Sequence, residues 1–177
     1  MSTFTIEVKD EGVQSLLQAL QKRLGNLRPA LAALGEDLTA RVHRRFDSST
    51  GPDGVPWAPN AQSTLDTFAG GLSKSHFKKS GDLNKKGSAA VASKKPLIGP
   101  TKDLSRQIGY TASTGSLTLF SSPVYAGIQQ FGGQAGRGHK VTIPARPFMP
   151  IKADGTLYPD DQQLLITALE TFLMGDA

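Results

Sequence analysis

The longest periodic pattern in the chain is an apolar stripe in its N-terminal third, and this pattern requires a long helix. Five apolar residues follow one another at intervals of three or four: Leu31, Leu34, Leu38, Val42 and Phe46. That spacing places them on one helical face, and Pro29 suits the first turn. The arginines Arg41, Arg44 and Arg45 fall largely off the stripe, so we interpret them as solvating the outer face, with a partner contact as the alternative. The remaining chain must supply a layer that covers the stripe.

Two further segments have helical spacing, one near each end of the chain. The first begins after Asp10, a suitable N-cap, and stops at Gly25; its apolar positions are Val13, Leu16, Leu17, Leu20 and Leu24. The second begins near Pro159, and its predicted buried face consists of Leu164, Leu165, Ala168, Leu169 and Phe172. We attribute Asp160 and Asp161 to stabilisation of its positive end rather than to a catalytic carboxylate pair.

Short alternating segments predict strands between these helices. Residues 3–8 alternate as a half-buried strand does, and residues 108–112 and 117–119 alternate around a turn that contains glycine, which predicts a hairpin. Residues 124–131 predict a short helix that ends at two glycines, and residues 141–143 an edge strand leading into prolines. The predicted fold class is α+β: a small, mostly antiparallel sheet flanked by N-terminal helices and a C-terminal helix.

Length and composition predict a single domain over residues 1–177. The absence of cysteine excludes disulfides, thiolate zinc sites and cysteine nucleophiles, and is typical of proteins made in a reducing cytoplasm. We find neither a signal peptide nor a stretch of the ~20 apolar residues that cross a bilayer. We therefore expect a soluble, unexported protein without a membrane contact.

Residues from about 70 to 103 predict a long, flexible, basic loop. Serine, glycine and alanine surround the lysines Lys74, Lys78, Lys79, Lys85, Lys86, Lys94, Lys95 and Lys102, which are opposed only by Asp82 and Asp103. One interpretation is a plain solvated loop. The other is a loop that contacts DNA or neighbouring proteins, although it lacks the interleaved aromatic residues that surfaces binding single strands use for stacking.

No pattern in the sequence indicates a catalytic, cofactor or metal site. The histidines His43, His76 and His139 lack the spacing of a zinc site. The glycine-rich residues 132–138 are not followed by the Gly-Lys-Ser/Thr of a phosphate-binding loop, and no candidate nucleophile is paired with a base. We therefore expect a protein that is not an enzyme, with no cofactor and no small-molecule substrate.

Three segments together resemble the phage virion morphogenesis family, the tail-completion-like proteins of Mu-like phages and their relatives. They are residues 46–59 (FDSSTGPDGVPWAP), 124–133 (VYAGIQQFGG) and 143–148 (IPARPF). Their order matches as well, and the likeness covers most of the chain. Lys102 stands where the family usually has glycine, and Gln129 where relatives often carry histidine. The lysine-rich segment is longer than expected for the family, so no role is carried over to it.

The resemblance implies a virion structural protein that acts in tail completion or head-tail joining, as a component of the neck or connector. Its implied partners are further copies of itself in a ring and other phage tail or neck proteins, with nonspecific contact to packaged DNA. Its implied location is the tail or neck region of the virion, and the host cytoplasm during assembly. The alternative is a basic nucleic-acid-binding module that uses the lysine-rich loop and the arginine-bearing helix.

Aromatic and arginine residues on irregular segments are the candidates for contacts between subunits, because these residue types most often dominate interfaces. They are Trp57, Tyr125, Phe131, Arg146 and Phe148. The alternative is intramolecular, with Trp57 and Phe148 closing the ends of the protein's own core. For the basic loop, the candidate contacts with DNA or neighbours are Lys74, Lys78, Lys79, Lys85, Lys86, Lys94 and Lys95.

Overall fold

The computed structural model describes residues 11–175. Within that range the chain forms seven α-helices: α1 Glu11–Leu24, α2 Arg28–Ser48, α3 Gln62–Gly70, α4 Lys85–Ala92, α5 Asp103–Arg106, α6 Ala126–Phe131 and α7 Pro159–Met174. The same range contains four strands, β1 Ile108–Ala112, β2 Leu117–Ser121, β3 Gly133–Ala135 and β4 Val141–Ile143, and short 3-10 helices at Lys74–His76 and Arg137–His139. The fold class is α+β. The strand predicted over residues 3–8 lies outside the described residues.

Helix α2 is the centre of the fold, and the predicted apolar stripe is its buried face. All five stripe residues are buried, with Leu34 and Val42 almost completely enclosed. The helix ends at Ser49, which adopts a left-handed conformation and donates its backbone N–H to the carbonyl of Arg45. Gly35 lies on the same face, where a Cβ would overlap the ring of Tyr110. Strand β1 can therefore pack directly against the helix.

The strands form two separate antiparallel ribbons rather than one continuous sheet. In the predicted hairpin, β1 pairs with β2 so that Ile108 lies opposite Ser121 and Ala112 opposite Leu117. Strand β4 pairs with β3 in a second, shorter ribbon. The prediction of antiparallel pairing is confirmed. The strand at residues 141–143, predicted to lie at the edge of a larger sheet, belongs instead to a separate two-stranded ribbon. Its partner in that ribbon, β3, comes from the glycine-rich segment before it.

Two groups of buried side chains cover the two ends of α2. At its N-terminal end, Leu31, Leu34 and Leu38 pack against residues of α7: Leu164, Leu165, Ala168 and Leu169. At its C-terminal end, the core consists of Val42, Phe46, Trp57, Leu104, Ile108, Ala126 and Phe148. Burying one such side chain contributes about 1.5–3 kcal/mol, so α2 and α7 stabilise one another mainly through these contacts.

Helix α1 forms as its spacing predicts, but much of its apolar stripe stays exposed. Leu16 and Leu24 are each 58% exposed. The helix contacts α7, where the Arg23 guanidinium donates a hydrogen bond of 2.8 Å to the carbonyl of Leu173. Leu16 and Leu24 therefore leave apolar surface of α1 uncovered.

The lysine-rich segment contains regular structure, which corrects the prediction of an irregular loop for residues 74–76 and 85–92. Asn84 caps α4, since its side-chain oxygen accepts hydrogen bonds from the backbone N–H groups of Lys86 and Gly87. Gly87 also lets α4 approach the 3-10 helix, because a Cβ there would overlap the carbonyl of His76. Local capping thus overrides a composition typical of loops. The flexibility of this segment remains a prediction.

Candidate functional site

The three segments that carry the family resemblance meet in one buried cluster, to which the first and third contribute aromatic rings and the second contributes Ala126. Phe46 ends the apolar stripe of α2, Trp57 comes from the loop after it, and Phe148 from the proline-rich segment after β4. The ring of Phe46 lies 5.3 Å from that of Trp57, edge to face, and 5.3 Å from that of Phe148, tilted. Such pairs add about 0.5–1.5 kcal/mol each beyond the area that they bury. We call the region where these segments meet the motif core.

Trp57 is fixed by hydrogen bonds as well as by packing. Its indole N–H donates to the carbonyl of Pro147 at 2.7 Å, and its backbone N–H to the carbonyl of Ser49 at 2.9 Å. Between these residues the chain turns tightly, with the N–H of Gly51 bonded to the carbonyl of Val55. The turn-rich loop therefore returns Trp57 to the end of the helix that precedes it.

Arg146 links the last of the three segments to the first. Its guanidinium donates to the carbonyls of Ala58 and Pro59, both at 2.7 Å, and its backbone N–H donates to the carbonyl of Gln129 at 2.8 Å. The side chain is buried, and this burial lowers the pKa of Arg146. Arg146 thus satisfies carbonyl groups of its own chain instead of pointing outward to a partner.

Gln130 is a second polar connector in the motif core, and sequence reasoning missed it. Its side-chain oxygen accepts hydrogen bonds from the N–H groups of Phe148 (2.8 Å) and Met149 (2.9 Å), and its amide donates to the carbonyl of Ile151 at 2.8 Å. A glutamine among apolar residues of a short helix carries no signal for this role. Only the tertiary structure supplies the unpaired backbone groups that it satisfies.

A buried ion pair joins α2 to α7. One guanidinium nitrogen of Arg45 lies 2.7 and 2.6 Å from the two carboxylate oxygens of Asp161, and a second donates to the carbonyl of Phe148 at 2.9 Å. Asp161 is completely buried, and Arg41 lies 3.8 Å from it. The prediction that Arg45 solvates the outer face is therefore wrong, and so is the assignment of Asp161 to the helix terminus alone. Arg45 follows Val42 by three residues, so helical spacing places it beside the buried stripe.

Burial divides the five predicted interface residues into two groups. Trp57, Arg146 and Phe148 are buried within the chain, so the structure corrects their assignment as surface anchors and favours the intramolecular alternative. Tyr125 directly precedes α6 and Phe131 is its last residue; they are 44% and 47% exposed. The interface assignment of these two residues stays a prediction.

The lysines of residues 60–102 carry the excess positive charge of the protein. The segment has eight lysines and two aspartates, a net charge of +6, whereas the whole chain has +5 and the remainder therefore −1. Seven of the eight lysines are exposed, and Lys94 is half-buried. This part of the surface attracts acidic groups.

An apolar groove of about 1010 Å³ lies between α3, α4 and the residues that follow α4. Its lining includes Phe68, Leu72, Ala90, Ile98 and Pro100, together with Lys94, Lys95 and Lys102; we call it the lysine groove. The ammonium of Lys94 donates to the carbonyls of Ile98 and Lys95 and lies 5.5 Å from the centre of the Phe68 ring. Burial lowers the pKa of Lys94.

A smaller cavity of about 370 Å³ adjoins the lysine groove and extends it towards α6 and β4. The two share Lys94, Ile98 and Gly99, and the smaller one also reaches Tyr125 and Gln129. The side-chain oxygen of Gln129 is buried and has no hydrogen-bond partner within residues 11–175. The apolar surface at α6 is thus continuous with the groove.

The residues that the structure describes form no recognisable metal site. The three histidines lie in separate elements, and no three or more His, Asp or Glu side chains of residues 11–175 lie close enough together to hold a metal ion. None of the helices in this range combines the length and hydrophobicity that a membrane span requires.

Comparison with known proteins matches the sequence model of the phage virion morphogenesis family to residues 8–172, which are 165 of the 177 residues. The chain belongs to this family. The resemblance found in the three segments is thereby confirmed, and the family assigns the protein a role in the morphogenesis of the phage virion.

One curated relative is the Mu-like prophage FluMu G protein 2 of Haemophilus influenzae. It is 35% identical over 77 residues, which are 44% of this chain and 51% of that protein. The chain therefore matches about half the length of this relative. No solved structure is significantly similar to the chain.

Proposed function

We propose that this protein is a non-enzymatic structural component that completes the phage tail or joins the tail to the head, and that it works as a ring of identical subunits. The observation that carries the proposal is the motif core. The segments by which the family is recognised bury Phe46, Trp57 and Phe148 together in the core of the protein. These segments therefore define a scaffold, and its outer surfaces are available for assembly.

The polar side chains of the motif core support a role without catalysis. Arg45, Gln130, Arg146 and Asp161 are buried, and their hydrogen bonds join them to backbone groups or to one another. A general acid, base or nucleophile needs a position from which it can reach a substrate. These four groups stabilise the fold and are not placed where they could reach a substrate.

A ring requires two different complementary surfaces on each subunit, because its contacts run from the head of one copy to the tail of the next. The chain has surfaces of different character. Val124, Tyr125 and Phe131 expose apolar groups around α6, whereas the segment that contains α4 is strongly basic. Other tail or neck proteins are the further partners that we propose, in the tail or neck region of the virion and in the host cytoplasm during assembly.

A second candidate function is nucleic-acid binding by the lysine-rich segment, favoured by its net charge of +6. The affinity of such a contact falls steeply with salt, because binding releases counterions from the phosphates. In a ring around a channel for DNA, the same lysines would face the packaged genome without reading its sequence.

Multi-angle light scattering of the purified protein, alone and with isolated tails or neck proteins, tests the proposal. A ring-sized mass, or one that forms only on these particles, is the expected result. A persistent monomer that ignores the particles and binds duplex DNA in low salt would instead support the second function.

A further inference from the structure

The lysine groove has the chemistry of a site for an apolar segment that carries negative charge. Its volume of about 1010 Å³ is at the upper end of the range for ligand sites, and the walls include Phe68, Leu72 and Ile98. Within residues 11–175 the ion pairs are those of Arg41 and Arg45 with Asp161, so no described carboxylate pairs with the groove lysines. The groove therefore combines apolar walls with positive charges that a partner can neutralise.

Helix α7 exposes a stripe of matching character on its outer side. Ile166, Glu170 and Met174 follow one another at intervals of four residues, so they lie on one face of the helix. Ile166 is 42% exposed, Met174 is 80% exposed, and Glu170 is exposed between them. We call these residues the α7 stripe.

The charge of α7 is also complementary to that of the groove. The helix contains neither lysine nor arginine, and of its three acidic residues Asp160 and Glu170 are exposed while Asp161 is buried against Arg45. Its carbonyl end is already bound by Arg23, so the exposed carboxylate of Glu170 supplies the negative charge of the stripe. Glu170 therefore attracts cations such as the groove lysines.

The two surfaces lie near opposite ends of α2 and so do not meet within one copy. On the groove side, the ammonium of Lys95 donates to the carbonyl of Asp47 in the last turn of α2, at 2.6 Å. The C-terminal half of α7 packs against the other end of α2, at Leu31 and Leu34. Asp47 follows Leu34 by 13 residues, which is about 20 Å along the helix axis, so the two surfaces lie apart within one copy.

We propose that the lysine groove of one copy holds the α7 stripe of a second copy. In this contact Met174 and Ile166 face the apolar walls, and Glu170 faces Lys95 and Lys102. Because groove and stripe are different surfaces of one chain, each copy can receive one neighbour and bind another, which is the geometry of a ring or a helical filament. This inference rests on the ring of the proposed function, and it specifies which two surfaces of adjacent subunits form the contact.

Duplex DNA is less well matched to the groove than a second copy is. A phosphate backbone has no apolar side chains to cover Phe68, Leu72 and Ile98. DNA is accordingly the competing outcome in the test.

A charge exchange tests the contact by sedimentation velocity of the full-length protein. We expect Glu170→Lys and Lys102→Glu each to weaken self-association by about tenfold or more, and the double variant to recover most of the loss, since close opposite charges at interfaces are coupled by about this much. Met174→Asp should weaken it as well. Lys79→Glu is the matched control: Lys79 is an exposed lysine of the same segment outside the lining of the groove, and its replacement should change little. Thermal unfolding checks that these exposed substitutions leave the fold intact.

Several results would overturn the inference, and they separate it from the ring itself. If the wild type forms rings that the groove and stripe variants leave unchanged, the contact is wrong while the ring stands. If the wild-type protein stays monomeric at its highest soluble concentration, both alone and in the presence of tail particles, then both the proposed contact and the ring are wrong. If Lys102→Glu and Lys79→Glu lower the affinity for duplex DNA equally, and Glu170→Lys leaves self-association unchanged, the lysines serve nucleic acid.

Discussion

Replacing Asp161 by alanine should destabilise the protein more than any surface substitution, because it leaves a buried cation without its partner. The guanidinium of Arg45 lies 2.6–2.7 Å from the Asp161 carboxylate, which is completely buried. After the substitution, the carbonyl of Phe148 is the remaining hydrogen-bond partner of the Arg45 guanidinium within residues 11–175. A carbonyl dipole cannot replace a full negative charge in surroundings from which water is excluded.

The expected loss follows from the general cost of breaking such pairs. Removing one partner of a buried ion pair costs about 3–5 kcal/mol, a large part of the ~5–15 kcal/mol that stabilises a typical domain. For a domain of this size each kcal/mol shifts the melting temperature by about 2–4 °C, so Tm should fall by roughly 6–20 °C. Urea unfolding monitored by the fluorescence of Trp57, the one tryptophan of the chain, measures the free energy directly.

Two further variants make the result interpretable. Arg44→Ala removes the exposed arginine next in the chain and should change the free energy of unfolding by less than about 0.5 kcal/mol. Replacing both partners, as Arg45→Met with Asp161→Leu, should recover most of the stability, because apolar residues of similar size often substitute for a buried pair. A loss below about 1 kcal/mol for Asp161→Ala would refute the reasoning.

Three other perturbations follow from the structure. Gly35→Ala should destabilise the protein by about 1–2 kcal/mol in urea unfolding, because overlap with the Tyr110 ring outweighs the gain in helix propensity; a stabilised variant would contradict this packing. Gln130→Leu should cost about 2–4 kcal/mol in the same assay, since it orphans two buried backbone N–H groups, and a loss under about 1 kcal/mol would argue against the role of the glutamine. The pKa of Asp154 lies below its ordinary value because the side chain and backbone of Thr156 donate hydrogen bonds to it. This contribution to stability is present above the unfolded pKa of about 3.9 and is lost as the pH falls through the folded value. Thr156→Val should raise the pKa in an NMR titration, and an unchanged value would exclude the hydroxyl as its cause.

The long helices could be predicted from the sequence because their signals are local. The leucines of α2 and the apolar residues of α7 repeat at helical spacing. Gly25 marks the end of α1, and Pro29 marks the first turn of α2. The hairpin of β1 and β2 likewise follows from alternation around a short turn. Each of these patterns is complete within about 20 residues of sequence.

The function of polar and aromatic residues in the motif core could not be predicted in the same way. Trp57 and Phe148 have side chains that suit a core and an interface equally well, and their partners lie about 90–100 residues apart in the chain. Arg45 is more instructive, because its helical position beside Val42 was visible in the sequence. What the sequence lacked was the location of the carboxylate that makes its burial favourable.

Composition and capping give opposite predictions for α4, and the capping signal agrees with the structure. Lysine, glycine and serine dominate this part of the chain, yet Asn84 stands directly before a run that includes Ala89, Ala90 and Val91. An asparagine N-cap before residues that tolerate helical conformation is a local signal. It would have identified the helix without reference to the tertiary structure.

The central claim, a structural role in completing the tail or joining it to the head, is tested most directly by counting assembled particles in the absence of the protein. Lysates of a phage whose gene for this protein carries an early stop codon can be examined by negative-stain electron microscopy, with and without added purified protein. We expect unjoined heads and unfinished tails that become complete particles when the protein is added. Normal numbers of infectious, fully joined particles without the protein would contradict it.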